Sequence, residues 1–286
     1  MADYDSYRVL AGKVRLHIAD WTGDGTPVLF IHSFTANALA ALPLGNLLQN
    51  RRRLIAPDLR GRGTSDTPFG EYGIQVHAKD MIALLDRLEI DKVVAGGHSF
   101  GAAISLYMAA FYPDRVTGLI LFDGGAMPSK TAQTFLDSYY NSLQYRYPTL
   151  EAYVDRYRTA PLYQPWTAEL ETLVRSNLIQ QPDGTYIRRV PRYVVETDRQ
   201  AEYLENGQQF PDLYNKVNCP VLIVRAEMGI RGAEDQVLSD DVLATMLQGM
   251  PAAQTVTITG AGHTSLLTIP SPVRDSAILK FLDMLH

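Results

Sequence analysis

Between Val93 and Ala103 a short apolar run meets the junction Gly96-Gly97-His98-Ser99-Phe100-Gly101, and two alanines follow. From Ala102 to Tyr112 the chain is apolar nearly all round, until Pro113 stops it. This pattern predicts a buried strand, a sharp turn and a buried helix. Such a turn works only where the neighbouring side chains are small. Gly97 and Gly101 leave room for it, and Ala102 and Ala103 let the helix lie close to the strand. Ser99, at the corner, would be lifted above the sheet edge, over the helix N-terminus and the Phe100 amide. A dinucleotide fingerprint is excluded, because His98 stands where Gly-x-Gly-x-x-Gly needs its second glycine.

A buried strand needs a sheet, and the flanking sequence supplies one. Val14 to Ala19 alternates polar and apolar, while Val28 to Ile31 is wholly apolar and runs into His32-Ser33-Phe34-Thr35. A helix-like segment spans Ala38 to Leu48. Leu54 to Pro57 reads as a strand, followed by Asp58-Leu59-Arg60-Gly61-Arg62-Gly63-Thr64-Ser65, and Ile74 to Leu88 has apolar residues at helical spacing. Val116 to Phe122 is another buried strand, ending in Asp123-Gly124-Gly125. Strands alternating with helices predict a parallel sheet with helices on both faces. From Met127 to about Tyr214 the rhythm breaks, and this stretch holds eleven of the sixteen tyrosines plus Trp166. It reads as mainly helical, interrupted at prolines. The rhythm resumes with a strand at Val221 to Val224, a helix at Val237 to Leu247, a strand at Thr255 to Ile258 and a helix at Val273 to Leu285. The expectation is a core of residues 1–126 and 215–286 and an inserted cap of 127–214, set over the sheet edge where ligands bind in such folds.

The formal net charge is -5, and the one basic run, Arg51-Arg52-Arg53, abuts a strand, so nucleic acid is not an expected partner. Cys219 is the only cysteine, which rules out an intrachain disulfide and a cysteine metal cluster. With no His-Glu-x-x-His and no phosphate-binding loop, no metal or organic cofactor is implied. No apolar run approaches the ~20 residues that span a bilayer. The acidic start Met1-Ala2-Asp3-Tyr4-Asp5 lacks the pattern of a signal peptide, so a cytoplasmic protein with no membrane partner is expected.

A parallel sheet brings the loops at its strands' C-terminal ends to one edge. Four of them carry candidate chemistry: His32-Ser33-Phe34, Ser99-Phe100, Asp123 and His263. The chain order is serine, acid, histidine. With the His-x-Phe loop, Asp58-x-Arg60-Gly61-x-Gly63-x-Ser65, the Gly97-to-Gly101 corner and Gly262-His263, the chain resembles the α/β-hydrolase fold family over nearly its full length. The likeness is to its capped serine-hydrolase, or esterase, branch. The resemblance implies a mostly parallel twisted sheet with helices on both faces and a mainly helical cap inserted after the sixth strand. It implies that Ser99 is the nucleophile and His263 its base, with the Phe34 and Phe100 amides as the oxyanion hole. His32, with Ser33 beside it, would organise that loop, and Asp58 and Arg60 would brace another. A serine hydroxyl needs a base as it attacks. An imidazole titrates near neutrality and can return the proton to the leaving group. A carboxylate on the other ring nitrogen fixes the tautomer. His98 reads as a packed or surface neighbour, His17 and His77 carry no partner signature, and His286 is terminal.

Two positions depart from the family pattern. Ser33 stands where glycine usually follows the histidine. In most members the acid follows the seventh strand, but here that stretch is Arg225-Ala226-Glu227-Met228-Gly229, with Gly229 at the acid's place. Asp123, after the sixth strand, is then the leading candidate, and Glu227 and Asp235 are the alternatives. The expected activity is cleavage of a small carboxylic ester through an acyl-enzyme. A lactonase, a carbon–carbon bond hydrolase, a perhydrolase and a weakly catalytic ligand-binding or signalling protein are the other readings. The expected partner is a small ester or lactone with an apolar or aromatic group, suggested by the aromatic insert.

Overall fold

The computed structural model describes residues 3–200 and 210–285. Within them the strands are β1 (Asp5–Ala11), β2 (Val14–Trp21), β3 (Val28–Ile31), β4 (Leu54–Pro57), β5 (Val93–His98), β6 (Val116–Phe122), β7 (Leu178–Gln180), β8 (Tyr186–Arg188), β9 (Val221–Ala226) and β10 (Gln254–Ile258). Eight form one sheet in the order β1-β2-β4-β3-β5-β6-β9-β10. β2 pairs antiparallel with both β1 and β4, and every other pairing in this sheet is parallel. The central strands β3 to β6 are apolar because both of their faces are covered.

The helices of the alternating parts are α1 (Leu42–Leu48), α2 (Ile74–Arg87) and α3 (Phe100–Phe111) before the insert. The insert contributes α4 (Lys130–Asn141), α5 (Leu150–Arg158), α6 (Ala168–Ser176), α7 (Arg192–Gln200) and α8 (Phe210–Tyr214). After it come α9 (Asp240–Gly249), α10 (Ser265–Thr268) and α11 (Pro272–Asp283). One apolar layer joins α2, α3 and Met246 of α9 to the sheet, and the other joins α1, α10 and α11 to its opposite face. The insert has a small apolar cluster of its own around Tyr153, Val154, Leu170 and Val174. None of the helices among the described residues is long and apolar enough to cross a membrane.

Three details differ from the sequence expectation. β1 is a half-exposed edge strand, too weakly patterned to announce itself. The insert holds a short hairpin, β7 with β8, among its helices. The helix expected from Val237 begins at Asp240, because Ser239 takes the extended N-cap position and two aspartates fill the first turn.

Candidate active site

Ser99 links β5 to α3 with φ 57° and ψ -114°, a strained conformation for serine that holds its side chain clear of the helix. The glycines around it are sterically required. A Cβ on Gly97 would lie 2.2 Å from the Gly101 carbonyl oxygen, and one on Gly101 would lie 2.0 Å from that of Ile31. β6 lies beside β5 with His98 opposite Phe122, so Ser99 and Asp123 leave neighbouring strands at the same level. The Ser99 amide donates to the Phe122 carbonyl at 3.0 Å, and the Asp123 amide to that of Val224 at 2.8 Å.

Asp123 is buried and also has a positive φ, 45°. Its Oδ2 accepts from His263 Nδ1 at 2.7 Å, and its Oδ1 accepts from the Ala226 amide at 3.1 Å. The alternative acids are engaged elsewhere. Glu227 accepts from the Gly260 amide at 2.8 Å, and Asp235 accepts from the amides of Arg231 and Gly232. Gly229 itself has no room for a side chain. A Cβ there would lie 2.2 Å from the backbone of Asp235, and the Gly229 carbonyl accepts from the His263 amide at 2.9 Å. The space for a side chain is filled by the turn that seats the histidine loop. Ser99 and His263 line one cavity and make no hydrogen bond to each other. In an unliganded site such a bond is often long and tightens only with substrate.

Around them the backbone is held by neutral histidines. His98 is buried, and its Nε2 donates to the His263 carbonyl at 2.8 Å. Burial, and then the nearby His263, pushes its pKa well below the usual imidazole value, so it acts as a neutral donor. His32 donates from Nδ1 to the Ser33 carbonyl at 2.7 Å and accepts at Nε2 from the Leu59 amide at 3.0 Å. Burial lowers its pKa to about 4 despite the pull of Asp58. Ser33 is not among the four non-glycine residues with positive φ in the described part of the chain, so serine is unstrained at this place.

The Phe34 amide donates to no carbonyl among the described residues, and the Phe100 amide begins α3, where no intrahelical partner exists. Their rings stack with centroids 4.0 Å apart. Arg62, fully buried, donates from Nε to the Phe34 carbonyl at 3.0 Å.

His17 and His77 do have partners, both distant in sequence. His17 Nδ1 lies 2.9 Å from Asp58 Oδ2. Asp58 also accepts from the amides of Ala38 and Thr64, and Arg60 pairs with Asp80 at 2.6 Å. His77 Nε2 lies 2.9 Å from Asp198 Oδ1, and Arg62 Nη2 lies 2.6 Å from Asp198 Oδ2, close but not aligned as a hydrogen bond. Asp198 belongs to α7, so this buried cluster ties the insert to the loop after β4. Burial raises its carboxyl pKa, but His77 and Arg62 outweigh that and hold it well below the usual range. His286 lies outside the described residues.

The cavity measures about 540 Å³ and runs from Ser99 and His263 up into the insert, where Phe135, Tyr139, Tyr157 and Leu173 line it. Arg188 lines it too, and sequence reasoning missed this residue. Next to Arg189 in a polar stretch it looks like a solvent-facing charge, and nothing local signals its burial.

A model of the alpha/beta hydrolase fold matches residues 26–270. The chain belongs to the α/β-hydrolase fold family. Among its relatives is 2-(acetamidomethylene)succinate hydrolase of Mesorhizobium japonicum, 29% identical over 97% of this chain and 95% of that protein. The crystal structure of E-2-(acetamidomethylene)succinate hydrolase superposes with a TM-score of 0.84 at 26% identity, covering 98% of this chain and 100% of that one. Shorter matches include 2-hydroxy-6-oxo-2,4-heptadienoate hydrolase of Pseudomonas putida, 38% identical over 40% of this chain and 42% of that protein. Epoxide hydrolase 2 of Siraitia grosvenorii is 38% identical over 37% of this chain and 34% of its own. The family and the relatives support a hydrolase, and the relatives differ in the substrates their names give.

Proposed function

We propose that this protein is a serine hydrolase that cleaves a small carboxylic ester through an acyl-enzyme. The observation that carries the reading is the 2.7 Å contact between His263 Nδ1 and Asp123 Oδ2, in one cavity with a serine held at a strained corner. With Nδ1 donating to the carboxylate, Nε2 is left as an acceptor. It takes the Ser99 proton as Oγ attacks the ester carbonyl. The oxyanion forms against the Phe34 and Phe100 amides, and losing one such donor typically costs ~3 kcal/mol. His263 passes the proton to the departing alkoxide, then draws a proton from water as water attacks the acyl-enzyme. Residues 127–214 serve as the cap, because cavity-lining side chains from α4 to β8 stand over Ser99. The aspartate nucleophile that this fold uses for epoxide hydrolysis has no counterpart here, since Ser99 occupies the corner.

The test is turnover of p-nitrophenyl butyrate, with labelling by a fluorophosphonate probe. Wild type should hydrolyse the ester and be labelled once, at Ser99, and a folded Ser99→Ala variant should do neither. Equal rates for the two proteins would overturn the assignment. Carbon–carbon bond cleavage is the second reading, favoured by the likeness to the Pseudomonas putida enzyme. Turnover of 2-hydroxy-6-oxo-2,4-heptadienoate without turnover of the butyrate ester would select it.

A further inference from the structure

The cavity carries unbalanced charge. Arg156, Arg188 and Arg231 line it and, among the described residues, no aspartate or glutamate does, although the whole chain has a net charge of -5. Arg156 and Arg231 reach solvent, but Arg188 is only 6% exposed. A buried guanidinium normally faces a carboxylate, because leaving the cation unpaired in a low-dielectric site is costly. Arg188 has no such partner among the described residues. Its Nη1 donates to the phenol oxygens of Tyr153 and, at 3.2 Å, Tyr157, and its Nη2 donates to that of Tyr139. Its Nε is buried with no hydrogen-bond partner among the described residues.

Three phenols orient the guanidinium without supplying a carboxylate. Burial raises the Tyr139 phenol to about 12 despite the nearby guanidinium. At Tyr157 burial also raises the pKa, but the Arg188 charge and the surrounding hydrogen bonds outweigh it, leaving the phenol below its ordinary value. The site is also close to the reaction centre. The Tyr139 hydroxyl bonds to Thr35 Oγ1 at 3.1 Å, and Thr35 follows Phe34. Arg188 therefore stands two hydrogen bonds from the loop that would hold the oxyanion.

We propose that Arg188 is the seat of a carboxylate carried by the substrate, which makes the substrate class a short ester acid such as the half-ester of a dicarboxylic acid. A carboxylate entering the cavity completes the guanidinium fork and restores charge balance. The apolar walls then hold the rest of the molecule. The turnover arm of the test rests on the serine-hydrolase reading, and the binding arm does not.

In the binding arm, calorimetry compares glutarate with glutaramide on the Ser99→Ala protein. Glutarate should bind on the order of 100-fold more tightly. Arg188→Gln in that background should remove the preference, and Arg188→Lys should recover part of it. Equal binding of the two ligands, or a preference that survives Arg188→Gln, overturns the proposal. If Arg188→Gln does not fold, protection of Arg188 from phenylglyoxal by glutarate, read by mass spectrometry, takes its place, and absence of protection is the overturning result. In the turnover arm, monoethyl glutarate is compared with ethyl 4-carbamoylbutanoate. The ratio of their kcat/KM values should favour the acid on the order of 100-fold and collapse in Arg188→Gln. Arg188-dependent glutarate binding with no turnover of either ester supports the carboxylate seat and overturns the ester reading alone.

Discussion

Asp123→Asn isolates one property of the site, the ring nitrogen on which His263 carries its proton. The backbone should not resist the change, because the φ of 45° at this position lies in the left-handed region that asparagine tolerates. The side-chain carbonyl can still accept from the Ala226 amide, as Oδ1 does now at 3.1 Å. The amide NH2 then replaces Oδ2, 2.7 Å from His263 Nδ1. A donor there makes Nδ1 the acceptor and moves the imidazole proton to Nε2, where it blocks uptake of the Ser99 proton. A wrong tautomer in otherwise intact geometry costs up to ~10⁴ in kcat, or about 5 kcal/mol at 1.36 kcal/mol per tenfold. Steady-state hydrolysis of p-nitrophenyl butyrate, with circular dichroism to confirm folding, measures the loss. Glu227→Gln and Asp235→Asn are the controls, since both carboxylates bind backbone amides away from His263. A loss of less than ~10-fold in Asp123→Asn, or a larger loss in Glu227→Gln, would refute the reasoning.

Two further outcomes follow from the packing and the protonation states. Gly101→Ala puts a methyl 2.0 Å from the Ile31 carbonyl oxygen, so the turn must open. We expect destabilisation of about 1–3 kcal/mol by denaturant titration together with loss of whatever p-nitrophenyl butyrate turnover the wild type shows, and a wild-type midpoint with wild-type turnover would contradict it. His32 links stability to pH. Its folded pKa of about 4 lies below the unfolded value of 6.5, so the unfolded chain binds the proton first as pH falls. The stabilisation is complete above pH ~6.5 and is lost by pH ~4, with a ceiling of about 3 kcal/mol. Urea midpoints for wild type and His32→Asn should converge as the pH is lowered through that window, and parallel curves would remove His32 as the cause.

The sheet and the corner were legible because both rest on local sequence. Apolar runs of strand length mark β3 to β6, and the glycines flanking Ser99 are set by contacts within the turn and with β3. Gly97 and Gly101 are legible as steric necessities from the sequence alone. That Asp123 would meet His263 could be expected by elimination, once Gly229 offered no side chain. The physical reason for that glycine, the Asp235 turn pressed against it, comes from residues brought together only by folding. The partners of His17 and His77 were illegible for the same reason, since Asp58 and Asp198 lie 41 and 121 positions away. Arg188 shows the limit most clearly. A charged residue in a polar stretch is a surface residue by default, and its burial depends on tyrosines from α4 and α5.

The Arg62–Asp198–His77 cluster bears on how a pocket of this kind can diversify. The insert is fastened by a carboxylate whose partners, Arg62 and His77, both lie before the insert. Grafted onto a related core without that arginine and histidine, it would bring a bare buried charge, at roughly 3–5 kcal/mol. That is a large part of what a domain has to spare. A recombination that exchanges whole caps between cores must carry Arg62 and His77 with the segment or fail at this joint. New specificities in this lineage are therefore more accessible through single replacements along the cavity wall than through exchange of the insert as a module.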